Sequence, residues 1–223
     1  MALPMVHLSV AHRLVQCYGY SPVPAFYLGS LAPDAIHMRP GTTRKDKNAV
    51  HFVRDGSISL SRVQQLMDKH WRASEDAAFA EGYCVHILTD LYWRGKVVEP
   101  LRPKLNGTMP RHELRTLYYN ECDKIDLELY DQQPWRDYVW DLLKSAETGD
   151  FEGLLSREEI KRWRNRVLSW YDKNRHKGDY QPRYISKELV LDFIIDASRR
   201  ACERMVLWKS SRCVSPPLAS SRR

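Results

Sequence analysis

Apolar residues recur along most of this chain at the three- and four-residue spacing of an α-helix, with polar residues filling the other faces. The spacing predicts helices over 5–18, 58–72, 75–94, 110–130, 134–146, 156–175 and 185–208, whereas strand-like alternation is scarce. Several starts are recognisable. Pro4 stands where a helix needs no amide hydrogen, Ser156 and Glu159 have the spacing of a capping box, and Ser186 is placed to cap the last helix. Segments 19–56 and 95–109, rich in Gly, Pro, Lys and Asn, read as loops. There is no internal repeat. The pattern is that of an all-α protein, a single helical bundle with a long loop between its first two helices. At 223 residues the chain can bury one substantial core. One domain is expected over 1–208, followed by a basic tail, 209–223, that has little to bury and is expected to be disordered.

The segment EGYCVHILTDLYW, Glu81 to Trp93, changes the picture. It is apolar on nearly every side, which places it in the middle of the bundle, yet it carries His86 and Asp90. Four residues apart, these two share one helix face, with Cβ atoms about 5–6 Å apart. An isolated ionised Asp at that depth costs several kcal/mol, so it needs a cation, a cluster of donors or a raised pKa. The pair could also satisfy each other or neighbouring backbone. On the helical wheel of the first helix, His7 falls among Val10, Ala11 and Leu14 and points inward. His12 falls toward Ser9, Arg13 and Gln16, hence toward the surface. His51 lies between apolar residues in AVHFVRDG. Asp34 follows Pro33 in FYLGSLAPDAIHMR, with a histidine three residues later. An Asp in that setting is ordinarily a cap or turn acid. Taken in order, His7, Asp34, His51, His86 and Asp90 offer imidazoles and carboxylates from separate apolar contexts. That donor set suits zinc, with manganese or iron as alternatives, and predicts a metal site in the core.

Charge and cysteine usage add limits. The formal net charge is +7, of which the tail from Lys209 onward, with Lys209, Arg212, Arg222 and Arg223, supplies +4. The remainder is too mildly basic to imply nucleic-acid binding, and it suits an anionic substrate. The charge run REEIKRWRNR at 157–166 alternates in sign, as an exposed helix face does. The 39–47 loop, with Arg39, Arg44, Lys45 and Lys47, reads as a solvated charged loop and secondarily as an attractor for an anion. Five scattered cysteines without a CxxC pair argue against a disulfide framework or a thiolate zinc site and for a reducing compartment. With neither a signal-peptide pattern nor a spanning segment, a cytoplasmic location is expected, and peripheral membrane contact stays open.

As an ordered set, PMVHLSVAH at 4–12, YLGSLAPDAIHMR, VHF at 50–52 and GYCVHILTDLYW resemble the zinc-dependent phospholipases C and single-strand-specific zinc nucleases. The closer resemblance is to the shorter bacterial members without a secretion signal. It implies an all-α fold with metals at its centre. The family's order of His, Asp, His and His-x-x-x-Asp falls on His7, Asp34, His51, His86 and Asp90. It implies one ion held by Asp34, His51, His86 and Asp90, and a second shared between Asp90 and His7. The implied activity is hydrolysis of phosphate esters, a phosphodiester or a phospholipid head group, through a metal-activated water with Asp34 as base. Secreted members also bind metal through a processed N-terminal tryptophan and through further His and Glu residues downstream. This chain begins Met-Ala-Leu-Pro, and its downstream stretch offers His112 with Thr116 four residues later. One or two ions are therefore expected. Glu121 or Asp126 could supply a replacement carboxylate, although such residues more often form ion pairs at the core edge. The rival expectation is a metal-binding helical protein that has lost hydrolysis and serves a structural or regulatory role.

Overall fold

The computed structural model describes residues 2–70, 76–105 and 107–210. Helix dominates, and among these residues the only strands are the two short arms of one hairpin. Helix α1 (Pro4–Tyr18) starts on its proline and stops at Gly19, whose φ of 72° suits the residue that lacks a Cβ. Next come α2 (Pro24–Gly29), a 3₁₀ turn (Ala32–Met38) and α3 (Arg44–Val50). Thr43 and Asp46 close a reciprocal capping box on α3. The hairpin pairs β1 (Val53–Arg54) with β2 (Ser57–Ile58) and leads into α4 (Leu60–His70).

The bundle is organised around α5 (Ala77–Trp93), which runs through a π turn (Arg94–Val98) into α6 (Glu99–Leu105). The remaining helices are α7 (Arg111–Gln132), α8 (Arg136–Ser145), α9 (Arg157–Lys173, capped by Ser156 and Glu159) and α10 (Lys187–Ser210). A 3₁₀ turn (Arg175–Asp179) follows α9. Helix α5 packs against α1, α2, α4 and α10, and α9 lies along the Ala32–Met38 turn. Two glycines set the closest approach. A Cβ on Gly29 would lie 2.1 Å from the Phe79 carbonyl oxygen, and one on Gly82 would lie 2.1 Å from that of Phe26. Only glycine lets the backbones of α2 and α5 touch here. Arg39 fastens the Ala32–Met38 turn to α9, placing Nε 2.6 Å and Nη2 3.1 Å from the Glu159 carboxylate and donating to the Leu154 carbonyl at 2.8 Å.

The all-α expectation holds, but two segments read as loops are largely helical. Between Gly19 and Gly56 the chain builds α2, a 3₁₀ turn and α3, each of six or seven residues. Elements that short make too few turns to impose a period on the sequence, and contact with α5 and α9 holds them in place. The segment 95–109 carries α6 despite Pro103, because Leu101 and Leu105 are buried against the bundle. Of the tail, residues 211–223 lie outside the described residues. Lys209 and Ser210 instead end α10, where Lys209 Nζ donates to Glu81 at 2.6 Å. Cys17, Cys84, Cys122 and Cys202 are free thiols, and Cys213 is outside the described residues. Among the described residues no helix is long and apolar enough to cross a membrane.

Candidate metal centre

Each of the five anticipated residues reaches the same buried point from a different direction. His7 comes from the second turn of α1 and His86 and Asp90 from one face of α5. Asp34 comes from the Ala32–Met38 turn and His51 from the cap that ends α3. None is more than 6% exposed. Asp90 stands at the centre. Its Oδ1 is 3.6 Å from His7 Nε2, and its Oδ2 is 3.7 Å from His86 Nε2 and 3.8 Å from His51 Nε2. Asp34 Oδ1 is 3.4 Å from His51 Nε2. The Ala2 amide donates to Asp90 Oδ1 at 2.9 Å.

These separations are too long for the groups to satisfy one another by hydrogen bonds. They are the right length for something else. Two ligands about 2.1 Å from a tetrahedral ion stand about 3.4 Å apart. The Nε2 atoms of His7, His51 and His86 and the Oδ1 of Asp34 are buried without a hydrogen-bond partner among the described residues. Four such orphans in one place would each cost a desolvation penalty of about 1–3 kcal/mol if nothing met them. Two sets of three, His7 with Asp34 and His86, and His51 with His86 and Asp90, bring their ligand atoms within 4.8 Å of one another. These buried groups could hold a metal ion.

The surroundings prepare the donors. His86 Nδ1 lies 2.8 Å from the Ser30 carbonyl and His51 Nδ1 lies 3.0 Å from the Lys47 carbonyl. A carbonyl can only accept, so both Nδ1 atoms carry hydrogen, and in the neutral ring Nε2 presents its lone pair to the cluster. Burial, aided by the neighbouring His86, pulls the His7 pKa down to about 3, and burial likewise lowers that of His86. Burial by itself would raise Asp34, but the facing His51 and the other imidazoles hold its carboxyl well below the usual range. For His51, burial is outweighed by Asp34 and the pKa rises. Two neutral imidazoles beside ionised carboxylates are the protonation states a metal requires.

The other candidates have different employment. Glu121 is buried, and its carboxylate accepts from the amides of Arg183, Tyr184 and Ile185 at 2.7–2.8 Å, fixing the entry to α10. Asp126 accepts from the Met5 and Val6 amides, each at 3.3 Å, and from the Tyr171 hydroxyl at 2.7 Å. It caps the helix that carries His7. His112 sits on an exposed face, its side chain 82% accessible. His12, expected at the surface, is buried. Its Nδ1 is 2.8 Å from the Tyr27 hydroxyl and its ring stacks on Trp135 at 4.6 Å. The wheel failed because α1 is covered on both sides. Arg39, one of the basic residues of the 39–47 segment, is paired with Glu159.

Asp34 also opens onto a cleft of about 420 Å³. Sequence reasoning missed its walls. His37, on the same turn, has Nε2 3.8 Å from Asp34 Oδ1. Trp163, Arg166 and Trp170 of α9 line the cleft as well. The signal was present as i, i+3 and i+7 spacing, but the alternating charges at 157–166 drew attention to the other face. Compared with known protein families, curated proteins and solved structures, the chain matches none.

Proposed function

We propose that this protein is a metal-dependent hydrolase of phosphate esters, of the kind its N-terminal motifs resemble. The observation that carries the proposal is the meeting of three unpartnered imidazole nitrogens with two carboxylates, one of which, Asp34, borders an open cleft. Imidazole with carboxylate favours zinc, with manganese or iron(II) as alternatives. One or two ions would be held by His7, Asp34, His51, His86 and Asp90. His7 and His86 stack with centroids 3.7 Å apart and planes within 4°. The two oxygens of Asp90 divide between the same two rings.

An ion held here would supply Lewis acidity, lowering the pKa of a water and polarising a phosphoryl oxygen. The chain's own residues do the rest. Asp34, ionised and bordering the cleft, accepts the proton that the attacking water gives up. The Ser30 and Lys47 carbonyls hold two rings in the required tautomer. Arg39, through Glu159, keeps the turn bearing Asp34 against α9.

Metal content of purified wild type and His86→Ala is the first test. Wild type should retain about one to two equivalents of zinc and the variant should lose most of it; full occupancy in the variant would remove the assigned site. With zinc or manganese added, hydrolysis of bis(p-nitrophenyl) phosphate should fall at least about 100-fold in Asp34→Asn. A second reading is favoured by the occupation of Glu121 and the exposure of His112, which take both out of the cluster among the described residues. On that reading the protein binds metal without hydrolysis, and wild type and Asp34→Asn would show the same rate.

A further inference from the structure

Helix α9 presents one continuous stripe to the cleft: Trp163, Arg166, Val167, Trp170 and Tyr171, at i, i+3, i+4, i+7 and i+8. Val167 and Tyr171 are buried and anchor the helix, while Trp163 and Trp170 are half-buried, with indole surface turned to open space. Trp163 adds an indole N–H with no acceptor among the described residues. Arg166 makes no ion pair among them either, and its charge bears on His37, the neighbour of Asp34 on the same cleft. The other cation, Lys177, is already matched by Asp123 and lies over the Trp170 ring, 5.3 Å from its centre.

We infer that α9 is the recognition wall of the cleft and that its substrate is a phosphate ester whose organic group is flat and aromatic, with Arg166 on the phosphoryl oxygens and Trp163 and Trp170 against the ring. This rests on the phosphoester reading and names its substrate class. Arginine is suited to the role because its planar fork meets two phosphoryl oxygens at once. A neutral ring suits the tryptophans better than a cationic head group. Lys177 already covers one indole face, and Arg166 would repel a second positive charge. The volume of the cleft, about 420 Å³, accommodates one small organic group and its phosphate.

The test is calorimetric titration of zinc-loaded protein with phenylphosphonate, methylphosphonate and phosphocholine, none of which requires turnover. Wild type should bind phenylphosphonate roughly tenfold more tightly than methylphosphonate. Trp170→Leu should bring that ratio close to one while leaving methylphosphonate binding and zinc content unchanged. Arg166→Ala should weaken both phosphonates about tenfold or more, again with full zinc content. Equal affinity of wild type for the two phosphonates, tighter binding of phosphocholine, or an unchanged Arg166→Ala would overturn the assignment. Zinc content is measured on each sample beforehand. Failure of wild type to take zinc overturns the hydrolase reading, and the phenyl preference, titrated in zinc-free protein, still decides the role of α9.

Discussion

Asp126 carries a second chemical consequence besides its part in holding α1. Burial pushes its pKa from the ordinary 3.8 up to about 7, against the pull of the Tyr171 hydroxyl and the Met5 and Val6 amides. Between about pH 4 and 7 the folded protein therefore holds a proton that the unfolded chain has released. The stability contributed by the neutral carboxyl is complete below about pH 4 and is lost as pH rises to about 7, by roughly 4 kcal/mol. His7 acts in the opposite direction. Its neutral form is favoured by folding, so its contribution is present above pH 6.5 and lost as pH falls toward about 3. The difference between Asp126→Asn and wild type isolates the carboxyl. In urea melts of metal-free protein, the variant should gain on wild type steadily from pH 4 to 7 and stay level beyond. A constant difference across that range would show that Asp126 remains ionised.

At the scale of elements, the contact between α2 and α5 governs the centre. Gly82 allows α5 to approach until the Ser30 carbonyl, just past the end of α2, reaches His86. The same contact positions the turn that bears Asp34. Gly82→Ala would drive a methyl group into the Phe26 carbonyl, and helix propensity alone, which favours Ala, cannot compensate. Overpacking of this kind costs about 1–3 kcal/mol, and more when backbone must move. The variant should remain helical by circular dichroism, unfold at lower urea concentration and bind zinc less tightly. Gly95, where an added Cβ meets nothing within 4 Å, supplies the control, and Gly95→Ala should leave both properties unchanged.

At the scale of the molecule, the proposed ion would join α1, the Ala32–Met38 turn, the end of α3 and α5, four elements brought together from residues 7 to 90. A ligand that binds only the folded chain stabilises it by about 2.7 kcal/mol at one hundred times its Kd. For a chain of this size, each kcal/mol moves the melting temperature by about 2–4 °C. Removing metal with a chelator should therefore lower Tm by roughly 5–10 °C, and zinc should restore it. His86→Ala should melt at one temperature with or without zinc. An identical response in wild type and variant would place the stabilising ion elsewhere.

How much of this was legible in the chain follows from the range of each interaction. The long helices were legible because a 3.6-residue period is local and repeats over many turns, as in 110–130, found as Arg111–Gln132. So was the pairing of His86 with Asp90, since four residues on one helix meet by geometry alone. The ordered motifs lead to the expectation that His7, Asp34 and His51 join that pair, but the close contact of α2 with α5 through glycines, which sets the turn bearing Asp34 beside His86, is recorded in no local pattern. The partners of Glu121 and Asp126 are backbone amides more than sixty and one hundred residues away in sequence, invisible to any periodicity. His12 looked exposed on the wheel of α1 because a wheel shows one helix, and only packing by α2 and the Trp135 region covered its other side. Residue chemistry and helix period thus came from the sequence by itself. Which buried groups find a partner, and which are left facing one another across a space the size of an ion, was decided by tertiary packing, because desolvation acts on the whole surroundings of a group rather than on its neighbours along the chain.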